Sequence, residues 1–121
     1  SFSGRKAASG IITEQRRRME EEPDVWVVFA AVKGDATENI IQKATELGAS
    51  CFAPIISQRT VVKSLRRERM NLIAMEAAEQ CERLSRPPTI LDPQPLDDLI
   101  SSWPPDRRLI LCDETSNVTP L

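Results

Sequence analysis

At 121 residues and 13.6 kDa, with 40% hydrophobic and 28% charged side chains, the chain is sized for one soluble globular domain and is too short for two catalytic ones. No apolar run approaches the roughly 18 residues that a bilayer-spanning helix needs, which excludes insertion by that route. The net charge of −2 conceals segregation: residues 56–86 hold seven basic against four acidic side chains, and residues 87–121 two against six. A basic middle on an acidic chain suits a phosphate-facing edge, although a solvated helix face accounts for the same charges.

Aromatic side chains make up 4% of the chain, too few for a platform that stacks single-stranded bases. Histidine is absent, which removes the commonest general base and closes Ser-His and Cys-His nucleophilic schemes within the chain. Cys51, Cys81 and Cys112 are widely spaced and have no histidine to complete a ligand set, so no metal site is expected. An odd number of cysteines without a signal peptide points to reduced thiols in a cytoplasmic protein.

In chain order, Ser1 to Gly10 is small and polar, and Ile11-Ile12-Thr13 is a short β-like run before Arg16-Arg17-Arg18. Residues 1–22 therefore read as the tail of a preceding element and a linker, and residues 23–121 as the domain proper. Val25 to Val32 is nearly all apolar and β-rich, the pattern of a strand buried on both faces of a parallel sheet. Asp35 with Glu38 makes a capping box and Gly48 a left-handed stop, predicting a helix over 36–47 whose stripe is Ile40, Ile41, Ala44 and Leu47.

Cys51 to Ile56 is a second strand. A longer helix runs from Leu65 to about Ser85, with Met70, Ile73, Ala74, Ala77, Ala78, Cys81 and Leu84 on one apolar stripe and Glu79–Arg83 and Glu82–Arg86 as i, i+4 pairs. Pro87-Pro88 stops it. Thr89 to Leu91 is a third strand, Leu96 to Ile100 a third helix, and Leu109 to Cys112 a fourth strand. The order β-α-β-α-β-α-β predicts an α/β fold, a mostly parallel sheet with right-handed crossover helices.

Ligands of such sheets gather beyond the carboxyl ends of the strands, here Lys33-Gly34-Asp35, Ser57-Gln58-Arg59 and Asp113-Glu114-Thr115. None matches a glycine-rich nucleotide-binding fingerprint, and an ordinary strand-to-helix turn explains Lys33-Gly34 as well. Arg59, Lys63, Arg66, Arg67 and Arg69 can track a phosphate backbone or simply solvate a helix. Asp113-Glu114 reads as a carboxylate pair or as loop formers, and the cysteines as small hydrophobes packed in the core.

Lys33-Gly34-Asp35, Gln42-Lys-Ala-Thr-Glu-Leu-Gly48, Pro54, Ser57-Gln-Arg59 and Glu76-Ala-Ala-Glu-Gln-Cys-Glu-Arg83, in that order and spacing, resemble the RsmE family of 16S ribosomal RNA uridine-N3 methyltransferases. The resemblance covers about residues 24–115. It implies a SPOUT (α/β-knot) domain, a homodimer, and the use of S-adenosyl-L-methionine (S-adenosylmethionine) to methylate N3 of one uridine in the RNA of the small ribosomal subunit. Residues 1–22 would end an N-terminal PUA-like barrel and its linker, and 23–121 would form the first part of the SPOUT domain. The family's barrel and its C-terminal knot segments fall outside the sequence, so the 121 residues alone are expected to be inactive.

By the same resemblance Glu114 and Thr115 border the cofactor, and Lys33, Arg59, Arg83 and Arg86 face the RNA; no catalytic residue is assigned. Glu82 stands where many relatives have glycine. Two rival expectations are a non-catalytic RNA-interaction module and an α/β dimerisation scaffold.

Overall fold

The computed structural model describes residues 8–32, 35–57 and 66–112. β1 (Trp26–Ala30) is a β-branched and aromatic run that pairs in parallel with β2 (Cys51–Ile56), in register from Trp26 opposite Cys51 to Ala30 opposite Ile55. Parallel neighbours need a crossover, and α1 (Asp35–Glu46) supplies it. Thr37 ties its first turn to the strand: the hydroxyl donates to the Val32 carbonyl at 2.6 Å and accepts from the Val32 N–H at 3.3 Å. A second crossover, α2 (Arg67–Gln80), leads to β3 (Thr89–Ile90).

β4 (Gln94–Pro95) was not anticipated and also pairs in parallel with β2. Cys51 and Phe52 face Thr89 and Ile90, whereas Ile55 and Ile56 face Gln94 and Pro95, so one extra residue lies on the β3–β4 side. The two short strands form one line along β2, interrupted by a bulge at Leu91-Asp92-Pro93. α3 (Leu96–Ser101) follows.

One face of the sheet carries α1 and α2. Phe52, Ile41, Met70, Ile73, Ala74 and Ile90 form the buried core there, with Val27 and Phe29 packed against it. Phe29 meets Phe52 edge to face at 6.4 Å. Side chains alternate along a strand, so Trp26 points to the other face. There it meets Trp103 edge to face at 5.8 Å, and the Arg107 guanidinium lies 4.1 Å from the Trp26 ring while pairing with Asp24.

Several expectations are corrected. The α1 stripe is one residue out of phase: Thr37, Ile41 and Thr45 are buried, and Leu47 is 88% exposed. β1 is half-buried along its length because, among the described residues, it has a strand partner on one side only. Leu109 to Cys112 forms no strand and is exposed, and Ile11-Ile12-Thr13 likewise forms none. Cys51 is buried as expected, but Cys81 and Cys112 are exposed, Cys81 because α2 ends one residue before it. No helix among the described residues is long and apolar enough to cross a membrane.

Both crossover helices end in the same way. After α1, the Gly48 N–H donates to the Thr45 carbonyl (3.1 Å) and the Ala49 N–H to the Ala44 carbonyl (2.9 Å), with Gly48 at φ 95°. After α2, the Glu82 N–H donates to the Glu79 carbonyl (3.1 Å) and the Arg83 N–H to the Ala78 carbonyl (2.9 Å), with Glu82 at φ 55°. Both are Schellman motifs, and the second holds glutamate in the left-handed position.

Candidate functional site

Because β1 and β2 run in parallel with Ala30 opposite Ile55, the chain leaves both strands at one edge of the sheet, through Val32 and Ser57. Lys33, Arg59, Glu114 and Thr115 lie outside the described residues, as do Gly34, Gln58, Lys63 and Asp113. The described residues that frame this carboxyl edge are the first turns of α1 and α2. Arg69 donates to both oxygens of Glu38, from Nε at 3.1 Å and from Nη2 at 3.0 Å. That fork matches the carboxylate geometry and locks the two helix starts together.

The Arg69 hydrogen bonds hold the Glu38 carboxyl below its ordinary range, opposed by a smaller desolvation effect. Arg67 pairs with Asp92 at 2.9 Å, bracing α2 against the bulge. Two cations of the basic run are thus engaged by carboxylates, and Arg66 is exposed.

Arg83 and Arg86 lie elsewhere. A groove of about 550 Å³ at the amino edge of the sheet is lined by Ser50 and Thr89, at the starts of β2 and β3, together with Arg83, Ser85 and Arg86. α2 runs from the carboxyl edge to the amino edge, so these arginines stand roughly 15 Å, the length of the strands, from Val32 and Ser57, where the chain leaves β1 and β2.

Arg86 is exposed, whereas the Arg83 side chain is only 4% accessible. Its Nη1 donates to the carbonyls of Thr45 (3.1 Å) and Ala49 (2.9 Å), and its Nε lies 3.0 Å from Glu22 and bonds the Ser85 hydroxyl. The expected pairing with Glu79 does not form, because the Schellman turn at Glu82 directs Arg83 inward. A phosphate contact by Arg83 is not available in this arrangement. The left-handed conformation of Glu82 sets the reversal that turns Arg83 inward, and a glutamate carries no such signal in the sequence.

A second, open groove of about 1150 Å³ runs between α1 and α2, with Asp35, Glu38, Glu76 and Glu79 on its walls. Among the described residues both grooves are lined largely by charged and polar side chains, which does not match the concave, backbone-lined pocket that an adenosyl group needs. Among the described residues no cluster of His, Cys, Asp and Glu can hold a metal ion. Burial pushes the Cys51 thiol up, partly offset by Arg107, as expected of an unreactive core cysteine.

The model of an RNA methyltransferase domain family matches residues 20–120. The chain belongs to that family. The chain is 33% identical over 123 residues to the ribosomal RNA small subunit methyltransferase E of Bacillus subtilis, an alignment covering 97% of this chain and 48% of that protein. It is 44% identical over 66 residues to the enzyme of the same name from Synechocystis, covering 53% of this chain and 22% of that one. The chain thus spans about half the length, or less, of the curated relatives it matches.

Among solved structures, the Legionella pneumophila putative methyltransferase in complex with S-adenosylmethionine superposes with a TM-score of 0.66 at 29% identity, covering 81% of this chain and 43% of that one. The Neisseria gonorrhoeae ribosomal RNA small subunit methyltransferase E bound to S-adenosylmethionine gives 0.64 at 26%, covering 72% and 38%. The RsmE resemblance and the parallel α/β fold are therefore borne out, and the fold of the methyltransferase domain matches part of known SPOUT structures.

Proposed function

We propose that the whole protein methylates N3 of a uridine in the RNA of the small ribosomal subunit, with S-adenosylmethionine as the methyl source. The family match over residues 20–120 carries this reading. Neutral uracil N3 is a poor nucleophile until its proton leaves, so the acceptor side needs cations to stabilise the anion. Lys33 and Arg59 belong to segments that continue from β1 and β2 at one edge, and they are assigned to the RNA near the target base. Arg86, exposed at the opposite edge, is assigned to phosphate farther along the strand. Glu114 and Thr115 are assigned to the border of the cofactor pocket.

In this reading residues 1–22 are the end of a PUA-like RNA-docking domain and its linker, residues 23–121 begin the SPOUT domain, and the protein works as a cytoplasmic homodimer. The contribution of the described residues is positional. Thr37 pins the turn before α1, and the Arg69–Glu38 fork fixes the start of α2 beside it.

The test is methyl transfer to unmodified small-subunit ribosomal RNA by the full-length protein. Arg59→Ala is expected to lower kcat/KM by about tenfold and to reduce the salt slope of RNA binding by about one; Arg86→Ala reduces the slope with a smaller loss of rate. The 121-residue chain alone is expected to give no turnover. A full-length protein that binds this RNA but never methylates it would favour the interaction module instead.

A further inference from the structure

We propose that Glu22, Arg83 and Ser85 form a latch that fixes the N-terminal segment over the C-terminal ends of α1 and α2, and that Arg83 serves RNA engagement as a positioning residue through that segment. The second half rests on the functional reading above; the latch itself does not.

A buried guanidinium is costly unless its donors are met. Here Arg83 reaches two carbonyls near the end of α1, where the helix dipole favours a cation, and the Glu22 carboxylate at 3.0 Å. Ser85 completes the ring by accepting from Arg83 and donating to Glu22 at 2.7 Å. One backbone bond, from the Glu20 N–H to the Leu84 carbonyl at 3.4 Å, adds to it.

Among the described residues, no buried apolar side chain belongs to this segment. Within residues 8–22 Glu22 is the one residue that is not exposed, and Ile11, Ile12 and Met19 are 91%, 93% and 64% accessible. Among the described residues, it is held chiefly by the Glu22 carboxylate with the arginine beneath it and by the Glu20 backbone bond. The segment carries Arg16, Arg17 and Arg18, and Met19 lines the same groove as Arg86. Fixing Glu22 thus sets where that basic run stands relative to Arg86, and with it the geometry that a phosphate backbone meets.

Glu22→Gln separates this role from direct contact by the sign of its effect. In the full-length protein the latch predicts at least about tenfold faster hydrogen exchange at the Glu20 amide and about fivefold weaker binding to unmodified small-subunit ribosomal RNA. The salt slope stays the same because no phosphate contact is removed, and kcat at saturating RNA holds within about twofold. If Arg83 touched phosphate, neutralising its carboxylate partner would tighten binding. That result, or unchanged exchange at Glu20, overturns the proposal. Ser85→Ala, a milder cut, should move both readouts the same way by less. A wild-type protein that does not bind this RNA refutes the functional reading, while the exchange measurement still decides the latch.

Discussion

α1 and α2 stop with the same pair of backbone hydrogen bonds, yet one uses Gly48 in the left-handed position and the other Glu82. Glycine has no Cβ to collide with the following carbonyl, whereas an L residue is strained there. The first end is close-packed: a Cβ on Gly48 would stand 3.2 Å from Glu22 Oε2. The second end is open, and Glu82 is exposed. Chain reversal tolerates a strained residue where there is room for its side chain, and what both reversals deliver is the same point, the carbonyls of Thr45 and Ala49 and the guanidinium that binds them.

Replacing the glycine is the sharpest way to break this pairing. Gly48→Ala combines backbone strain with displacement of the Glu22 carboxylate, and is expected to lose about 1–2 kcal/mol in urea denaturation. The converse change, Glu82→Gly, relieves the strain but adds freedom to the unfolded chain. A net gain of about 0.5 kcal/mol and a Tm higher by a few degrees is expected. Equal and opposite effects would mean that crowding by Glu22 contributes nothing at the first end.

The smallest effect lies at the other ends of the same helices. The Glu38 carboxyl is held below its ordinary value of 4.5 by Arg69, so its contribution is fully present above that value and is lost as pH falls through the lowered one. Glu38→Gln should lower the urea midpoint slightly at neutral pH, and the difference from wild type should vanish in acid. A difference that persisted unchanged at low pH would show that the Arg69–Glu38 fork is not its source. Arg69 is exposed and Glu38 half-exposed, so the change stays small beside the glycine substitution.

The fold was legible where one local signal dominates. The bounds of β2, the buried stripe of α2 from Met70 to Ala78 and the position of α3 follow from apolar period and proline punctuation. Phase in α1 was not, because Thr37 and Thr45 are buried polar residues, satisfied by the Val32 and Ile41 carbonyls, while the apolar Leu47 faces water. β4 escaped notice because Gln94-Pro95 has no strand-like pattern and is held by register with β2.

At the site, Arg83 was read from its neighbours in sequence, but its partners Glu22, Thr45 and Ala49 come from three distant places in the chain. Periodicity cannot carry that information. The topology does, and it sets Arg83 and Arg86 at the amino edge, opposite the end where Val32 and Ser57 leave the sheet.

Trp26 and Trp103 are the only tryptophans of a chain without tyrosine, and they touch one another under Arg107. Intrinsic emission from this molecule is consequently a single-address signal: it reports whether the first strand still holds the loop after α3, and is blind to fraying at Gly48 or Glu82. A fluorescence melt of one sample reports that single face, whereas a far-ultraviolet dichroism melt reports the backbone of the whole fold, and agreement between them is itself a measure of how cooperatively the layers come apart.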